Sequence, residues 1–300
     1  MRAKLGIAPI AWSNDDLPEL GGDTPLETCL REARAAGFSG VETGGKFPTT
    51  VPELRAALEA HDLHLASGWY SGTILDNDLE AEKDKVRGQL DLFRALGAAC
   101  LCYGETAGTI QNVRHAPLAT RRRLDEAQIG DYGRRLTALA EFCAEEGMPI
   151  GFHHHMGTAI ETEQDLDLLM ANTGEAVTLL FDAGHMAFAG GDPVRVVSNH
   201  GARISHVHAK DIRSGVVNAL DWNEESFLDA VLKGAFTVPG DGSLDFAAIA
   251  RGLAEADYEG WFVVEAEQDP ALAPPDEYAK IGYRALSEAV RAAGYEIVEG

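Results

Sequence analysis

Short apolar runs alternate along the chain with longer stretches in which apolar residues recur at a helical period. Eight of the runs have the length and composition of buried strands. They cover residues 5–12, 40–44, 63–69, 100–105, 149–155, 177–185, 204–211 and 261–267. Between the fourth and fifth runs, the spacing i, i+3, i+4, i+7 of a helical face is met by Leu136, Leu139, Ala140 and Cys143. The pattern predicts eight strands separated by amphipathic helices.

One predicted helix has signals at both ends. Thr24 can cap its amino terminus, Pro25 suits the first turn, and Glu27 completes a capping box. Gly37 can end it in the left-handed conformation, which predicts a helix over 24–36. Val86, Leu90 and Phe93 share a helical face between the third and fourth strands. Further helices are predicted near 53–60, 162–171, 192–200, 245–256 and 276–292.

Strands that alternate regularly with helices indicate an α/β protein with a parallel sheet. Eight such units, with no Pro/Ser-rich linker, predict one (β/α)8 TIM barrel domain over residues 1–300. An open doubly wound sheet is the alternative, but no G-x-G-x-x-G motif follows a strand. Two long connections, 106–128 and 212–244, follow strands four and seven and are candidate lids over the carboxyl ends of the strands.

The charge balance excludes some classes of binding partner. The chain has 25 Lys and Arg against 48 Asp and Glu, a formal charge of −23. This charge repels phosphate backbones and anionic lipids, so we expect neither nucleic acid nor membrane as a partner. No apolar run approaches the ~20 residues that cross a bilayer. The four cysteines form no C-x-x-C pair, which favours reduced core thiols. We therefore predict a cytoplasmic protein.

Polar residues accumulate where buried strands should be apolar. Six of the ten histidines fall near the carboxyl ends of strands five, six and seven. Asp182, His208 and Glu265 come from the ends of three successive strands, which converge on the barrel axis. Separately, each has a structural explanation as a helix cap, a core histidine or a partner of Lys210. Together they predict a site for a divalent ion such as Mn²⁺, Co²⁺ or Mg²⁺.

Side-chain alternation leaves one choice open in two of these strands. Residues two apart face the same side of a strand. His206 therefore shares a face with His208, and Glu265 shares one with Glu267. Either member of each pair is a possible ligand on this argument.

Three strand-end motifs resemble those of the xylose isomerase-like superfamily of metal-dependent TIM barrels. They are Asp-x-Gly-His at 182–185, His-x-Lys-Asp at 208–211 and Val-Val-Glu at 263–265. More specific segments, spread over nearly the whole chain, resemble the inosose dehydratase family. These are Ile7 to Asp16, Glu42 to Pro48, Tyr103 to Glu105 with Ile110 and Gln111, His153 to Thr158 with Glu161 and Thr162, and Val264 to Pro270.

The resemblance implies dehydration of 2-keto-myo-inositol (scyllo-inosose) to a trihydroxycyclohexane-dione in inositol catabolism. It also implies Mn²⁺ or Co²⁺ as the ion, with Asp182, His208 and Glu265 as ligands. In the superfamily pattern, the fourth ligand is a Glu that ends strand five. Here His153 stands at that position, and Glu161 is a second option.

Loss of water β to a ketone needs a base for the acidic α-proton and an acid for the departing hydroxyl. We predict Lys46 or His155 as the base and Glu267 or His185 as the acid. Contacts to the small cyclitol ketone are predicted for Trp12, Asn14, Asp15, Glu42, Trp69, Glu105 and Lys210. The structural alternatives are a surface position for Lys46, core packing for the tryptophans, an Asx turn around Asn14 and an ion-pair partner for Glu105.

Three rival functions remain. A cyclitol or sugar ketose isomerase or epimerase would use the same metal site. A nuclease on this fold is opposed by the charge of −23. A non-catalytic cyclitol-binding protein would bind the ligand without turnover. Association into a homo-oligomer is also an option.

Overall fold

Eight parallel strands close into a barrel, as the alternation predicted. The computed structural model describes all 300 residues. The barrel strands are β1 (Arg2–Ile7), β2 (Gly40–Thr43), β3 (His64–Gly72), β4 (Leu101–Glu105), β5 (Ile150–His153), β6 (Thr178–Asp182), β7 (Ile204–Ala209) and β10 (Gly260–Val264). Pairing of β10 with β1, in which Phe262 lies opposite Leu5, completes the ring. The closed parallel sheet confirms the (β/α)8 fold and excludes the open sheet.

Three short strands lie outside the ring. They are β8 (Asp211–Ile212) and β9 (Phe236–Thr237), which pair with each other antiparallel, and β11 (Glu296–Val298), which pairs with β1. The helices are α1 (Leu26–Ala36), α2 (Val51–Glu59), α3 (Leu79–Leu96), α4 (Glu126–Glu145), α5 (Glu163–Ala171), α6 (Ala183–Phe188), α7 (Pro193–His200), α8 (Ser214–Val217), α9 (Phe227–Leu232), α10 (Phe246–Glu255) and α11 (Pro275–Ala292). No helix is both long enough and apolar enough to span a membrane.

Several element boundaries differ from the expected ones. The first strand begins at Arg2 and ends at Ile7, and residues 9–11 form a 3₁₀ turn where the sequence predicted strand. Helix α1 begins at Leu26 without a side-chain cap, although Gly37 ends it with φ +112° as expected. The sixth strand ends at Asp182, and the residues after it form α6. An apolar run does not distinguish strand from the buried helix that continues it.

The two long connections are packed against each other rather than open. The segment after β4 pairs with the segment after β7 through an isolated bridge between Pro117 and Ser226 and a hydrogen bond from the Leu118 amide to the Glu225 carbonyl, 2.9 Å. A second hydrophobic core of 13 buried residues lies beneath them, separate from the barrel core. Phe227 and Phe236 of this core pack beside His185. These loops therefore form a packed wall beside His185.

Candidate metal centre

Four side chains from consecutive strands meet at the mouth of the barrel. They are His153 at the end of β5, Asp182 at the end of β6, His208 on β7, and Glu265 directly after β10. One ligand atom from each lies within 4.8 Å of the others, and all four residues are buried. Asp182 Oδ2 lies 3.7 Å from His153 Nε2 and 3.4 Å from His208 Nδ1. Of the two pairs of residues that share a strand face, His208 rather than His206 and Glu265 rather than Glu267 belong to this cluster.

The unpaired atoms of this cluster indicate what it could hold. Asp182 Oδ2, His208 Nδ1 and Glu265 Oε2 are buried, and none of them makes a hydrogen bond of ordinary geometry. His208 Nδ1 lies against Glu265 Oε2 and 3.4 Å from Asp182 Oδ2, so the three atoms point at one another. A buried polar atom left unpaired costs about 1–3 kcal/mol, and more if it is charged. A divalent ion coordinated by two carboxylates and two imidazoles would satisfy all three atoms. The residues present therefore fit a metal ion.

The hydrogen bonds around the two histidines orient their free nitrogens toward that point. His153 Nδ1 donates to the backbone carbonyl of His154, which leaves Nε2 without a proton. Burial, followed by the charge of His208, lowers the pKa of His153 well below its usual value. His208 Nε2 donates to the carboxylate of Glu42, so Nδ1 is the nitrogen that an ion would bind in place of a proton. Burial lowers the pKa of His208, but the carboxylates of Glu265 and Glu42 raise it well above its usual value. Such outer partners are typical of metal-binding histidines.

Glu42, a predicted substrate contact, lines the cavity at the barrel mouth, and its carboxylate also contacts two histidines at the base of the cluster. Its carboxylate lies 2.8 Å from His206 Nε2 and 3.2 Å from His208 Nε2. Burial alone would raise the pKa of Glu42, but the charges and hydrogen bonds of His208 and His206 lower it to about 2. Glu42 is therefore an ionised hydrogen-bond acceptor at the floor of the site.

A second group of polar side chains surrounds the ammonium of Lys210. Lys210 Nζ lies 2.7 Å from His185 Nε2, 2.8 Å from Glu267 Oε2 and 3.1 Å from Glu265 Oε1. Burial would lower the pKa of Lys210, but Glu265 and Glu267 raise it above its usual value. His155, His185 and Glu267 have metal-ligand spacing as well. The ammonium already neutralises the carboxylate of Glu267, so this group needs no ion.

A cavity of about 120 Å³ lies above the cluster. Trp69 forms one wall, and its ring meets those of His153 and His155 edge-on at 5.7 and 5.8 Å. The rim includes Asp16, whose carboxylate accepts a hydrogen bond of 3.1 Å from the amide of Gln111. The other polar residues that line the cavity are Asp15, Glu42, Thr43, His208, Glu265 and Glu267. The cavity therefore combines an aromatic wall with many hydrogen-bonding groups.

Gln111 had only a weak signal in the sequence, as part of a segment resembling the inosose dehydratase family. Its position depends on a long-range contact, because the Ile110 amide donates 3.0 Å to the carbonyl of Gly157 in the loop after β5. Asp16 directly follows the predicted contacts Asn14 and Asp15 and lines the cavity. Burial raises the pKa of Asp16.

Two of the predicted substrate contacts, both near the amino terminus, lie outside the cavity. Trp12 is buried, and its indole nitrogen donates 2.7 Å to the carboxylate of Glu32 on α1. Asn14 accepts hydrogen bonds of 2.9 Å from the amides of Asp16 and Leu17. This is the Asx turn that the sequence offered as the structural alternative. Asn14 thus shapes the loop that carries Asp16 rather than facing a ligand.

Two acidic residues are also placed away from the cluster. Glu105 accepts hydrogen bonds from the hydroxyl of Tyr103 and the amides of Leu75 and Ala107. Glu161, the second option for a fourth ligand, forms a buried ion pair of 3.0 Å with Arg121. Of the two options for a fourth ligand, only His153 lies in the cluster. The buried role of Arg121 was missed because the run 121–123 looks like an exposed basic segment.

Lys46, a predicted base, points away from the cavity. Its ammonium donates to the backbone carbonyls of Gly21, Gly22 and Thr24 at 3.1, 2.8 and 2.5 Å. All three hydrogens are used, and the group ties the loop after β2 to the loop after β1. The sequence did not predict this orientation, because the loop conformation that directs Lys46 away from the cavity depends on contacts with a distant segment.

Replacement of Lys46 by methionine tests this correction. We expect turnover within a few-fold of wild type and a loss of ~1–3 kcal/mol in the free energy of unfolding, because charged hydrogen bonds are removed. Urea titration and steady-state rates measure the two effects. Lys280→Met, which removes an exposed pair with Asp276 at 3.6 Å, is the control and should change little. A large loss of rate at unchanged stability would restore Lys46 as the base.

Comparison with known proteins identifies the family. The family model described as "Xylose isomerase-like TIM barrel" matches residues 30–296. The chain belongs to this family. Within it, the chain is 50% identical over 298 residues to "Rhizopine catabolism protein MocC" of Rhizobium meliloti, covering 99% of this chain and 91% of that protein. It is 44% identical to "Inosose dehydratase" of Bacillus thuringiensis (strain Al Hakam), covering 92% and 93%. These relatives confirm the resemblance to inosose dehydratases.

Solved xylose isomerase-like barrels share the fold at lower identity. A crystal structure titled "IOLI protein with a binding zinc atom" superposes with a TM-score of 0.66 at 15% identity, over 97% of each chain. A D-allulose 3-epimerase from Methylomonas sp. in complex with D-allulose has a TM-score of 0.65 at 19% identity, over 96% of this chain and 97% of that chain. At this identity the comparison supports the barrel architecture alone.

Proposed function

We propose that this chain is an inosose dehydratase, a hydro-lyase that removes water from 2-keto-myo-inositol to give a trihydroxycyclohexane-dione. The observation that carries the proposal is the buried cluster of four candidate ligands, three of whose polar atoms converge without a hydrogen bond of ordinary geometry. An imidazole and a carboxylate beside the cluster, those of His155 and Glu267, line the same cavity. The named relatives support the substrate. The function belongs to inositol catabolism.

The ion is proposed to be Mn²⁺ or Co²⁺, held by His153, Asp182, His208 and Glu265. Mixed nitrogen and oxygen ligands without thiolate suit these ions, and Mg²⁺ is less well matched by two imidazoles. When bound, the ion supplies Lewis-acid polarisation of the substrate ketone, which acidifies the neighbouring C–H bond. The remaining steps fall to side chains of the protein.

His155 is the proposed base. Its Nδ1 donates 2.8 Å to the carbonyl of Met156, so Nε2 is the nitrogen available to accept a proton, and the residue lines the cavity. This nitrogen takes the α-proton of the bound ketone. Glu267 Oε1 lies 3.6 Å from Nε2, close enough to stabilise the imidazolium that forms. Lys210 holds the other oxygen of Glu267 and so fixes its orientation.

The same imidazolium is the proposed acid. Glu267 is poorly suited, because burial raises its pKa but Lys210 and His155 together outweigh burial and lower it. His185 is poorly suited too, because its Nε2 already contacts the ammonium of Lys210. His155 passes its proton to the departing β-hydroxyl as the C–O bond breaks. The C–H pair becomes the new double bond, the hydroxyl leaves as water, and His155 returns to its neutral form.

The cavity walls account for recognition of a small cyclitol ketone. The ring face of Trp69 suits the C–H face of a saturated ring and excludes water. Asp15, Asp16 and Gln111 supply hydrogen-bonding groups for ring hydroxyls at the rim. These contacts orient the ring so that its α-hydrogen approaches His155.

Chelation and metal restoration test the proposed function. Purified protein incubated with scyllo-inosose is expected to generate the ultraviolet absorbance of a conjugated product. Removal of the ion with a chelator should abolish this activity, and Mn²⁺ or Co²⁺ should restore it better than Mg²⁺. Circular dichroism of the stripped protein controls for unfolding. A new isomer without absorbance would instead identify an isomerase or epimerase, and unchanged turnover in metal-free protein would contradict the proposed centre.

A further inference from the structure

A chain of three side chains runs beneath the metal cluster. His206 and His208 lie on the same face of β7, and Glu42 reaches them from β2. His206 Nε2 lies 2.8 Å from Glu42 Oε1, and His208 Nε2 lies 3.2 Å from both oxygens of Glu42. All three residues are buried. The carboxylate thus accepts from two imidazoles at once, one of which belongs to the metal cluster.

We propose that His206 is a positioning residue for the metal ion, which acts by fixing the Glu42 carboxylate beneath His208. The inference rests on the metal site of the proposed function. Glu42 accepts from His208 and thereby directs Nδ1 of that ring toward the ligand point. Without His206, the buried carboxylate has one imidazole partner and is free to rotate away from it. His208 would then lose the contact that sets its ring orientation.

The surroundings of His206 argue against the alternatives. The residue is fully buried and does not line the cavity, so it cannot touch substrate. Its Nδ1 is buried and makes no hydrogen bond of ordinary geometry, and the thiol of Cys100 is the neighbouring polar group of the ring. The interior of a TIM barrel is ordinarily filled by Val, Ile and Leu, which would avoid this unpaired atom. The hydrogen bond from Nε2 to Glu42, at 2.8 Å, is a contact that an apolar residue could not make.

Three substitutions separate the hydrogen bond from packing. The amide nitrogen of glutamine can occupy the position of histidine Nε2, whereas that of asparagine occupies the position of Nδ1. We expect His206→Leu and His206→Asn to weaken Co²⁺ binding ~10–100-fold, the effect typical of an outer partner of a metal ligand. His206→Gln is expected to recover most of the affinity. Glu42→Gln should weaken it to a similar degree.

The measurement uses apo-protein and Co²⁺, without substrate. Competition against a metallochromic chelator gives the affinity, and the visible spectrum of bound Co²⁺ reports the ligand geometry. Both should change in His206→Leu and return toward wild type in His206→Gln. The double variant Glu42→Gln/His206→Leu should bind no more weakly than Glu42→Gln alone, because the two residues act through one bond.

Each other outcome overturns the inference in a distinct way. Equal losses in the Leu, Asn and Gln variants would reduce His206 to a packing residue. Wild-type affinity and spectrum in His206→Leu would remove it from the metal site while leaving the proposed function intact. Failure of the wild-type protein to bind Co²⁺, Mn²⁺ or Mg²⁺ would overturn both. If the Leu variant does not fold, the Gln and Asn variants, which retain a polar side chain, decide between the outcomes.

Discussion

Asp182→Asn is expected to abolish tight metal binding and to lower kcat/KM for scyllo-inosose by ~10³-fold or more. Polarisation of the ketone by a bound ion is worth several kcal/mol, and roughly 1.4 kcal/mol corresponds to tenfold in rate. The substitution removes a carboxylate charge and places an amide within the ligand cluster. Its remaining oxygen can still accept from the His185 amide, which Asp182 Oδ1 does at 2.8 Å. The start of α6 should therefore be kept, and metal analysis alongside rates measures the effect.

Asp192→Asn is the matched control for this variant. Asp192 also precedes a helix, α7, and accepts from the amides of Val194 and Arg195. It is exposed and belongs neither to the cluster nor to the cavity lining. The same change of charge and the same role at a helix start should leave metal content and turnover as in wild type. Full activity and full metal content in Asp182→Asn would refute the proposed centre.

His155→Asn is expected to lower kcat by ~10²–10⁴-fold while metal affinity stays near wild type. This range is the usual contribution of general acid and base catalysis. Asparagine can keep the donor to the Met156 carbonyl that His155 Nδ1 provides at 2.8 Å, but it has no basic nitrogen in place of Nε2. Exchange of the substrate α-hydrogen with solvent deuterium, measured by NMR, should fall together with turnover.

His200→Asn controls for loss of an imidazole elsewhere. His200 ends α7 and pairs with Asp167 at 2.6 Å, away from the cavity. The turnover rate of the His200→Asn variant should match that of the wild-type protein. If His155→Asn lost turnover but still exchanged the α-hydrogen, His155 would serve only as the acid. Wild-type turnover would exclude it from both roles.

The hydrophobic pattern was sufficient for the barrel because each strand and helix has its own local signal. The pattern was also sufficient to single out Asp182 as a member of the cluster, because this residue ends an otherwise apolar strand. It could not choose between His206 and His208, or between Glu265 and Glu267, because residues two apart share a face. In the structure His208 and Glu265 reach the cluster, whereas Glu267 pairs with Lys210 and His206 with Glu42.

By itself, the sequence determined the closed parallel fold and the concentration of carboxylates and imidazoles at the ends of β5, β6, β7 and β10. Both follow from local periodicity, since the side of a strand that a residue faces depends only on its position in that strand. Only the tertiary structure decided which loop residues reach the cavity. It turned Lys46 toward three carbonyls and brought Gln111 to the rim. The physical reason is that the course of a loop depends on hydrogen bonds to segments distant in the chain, which no local pattern records.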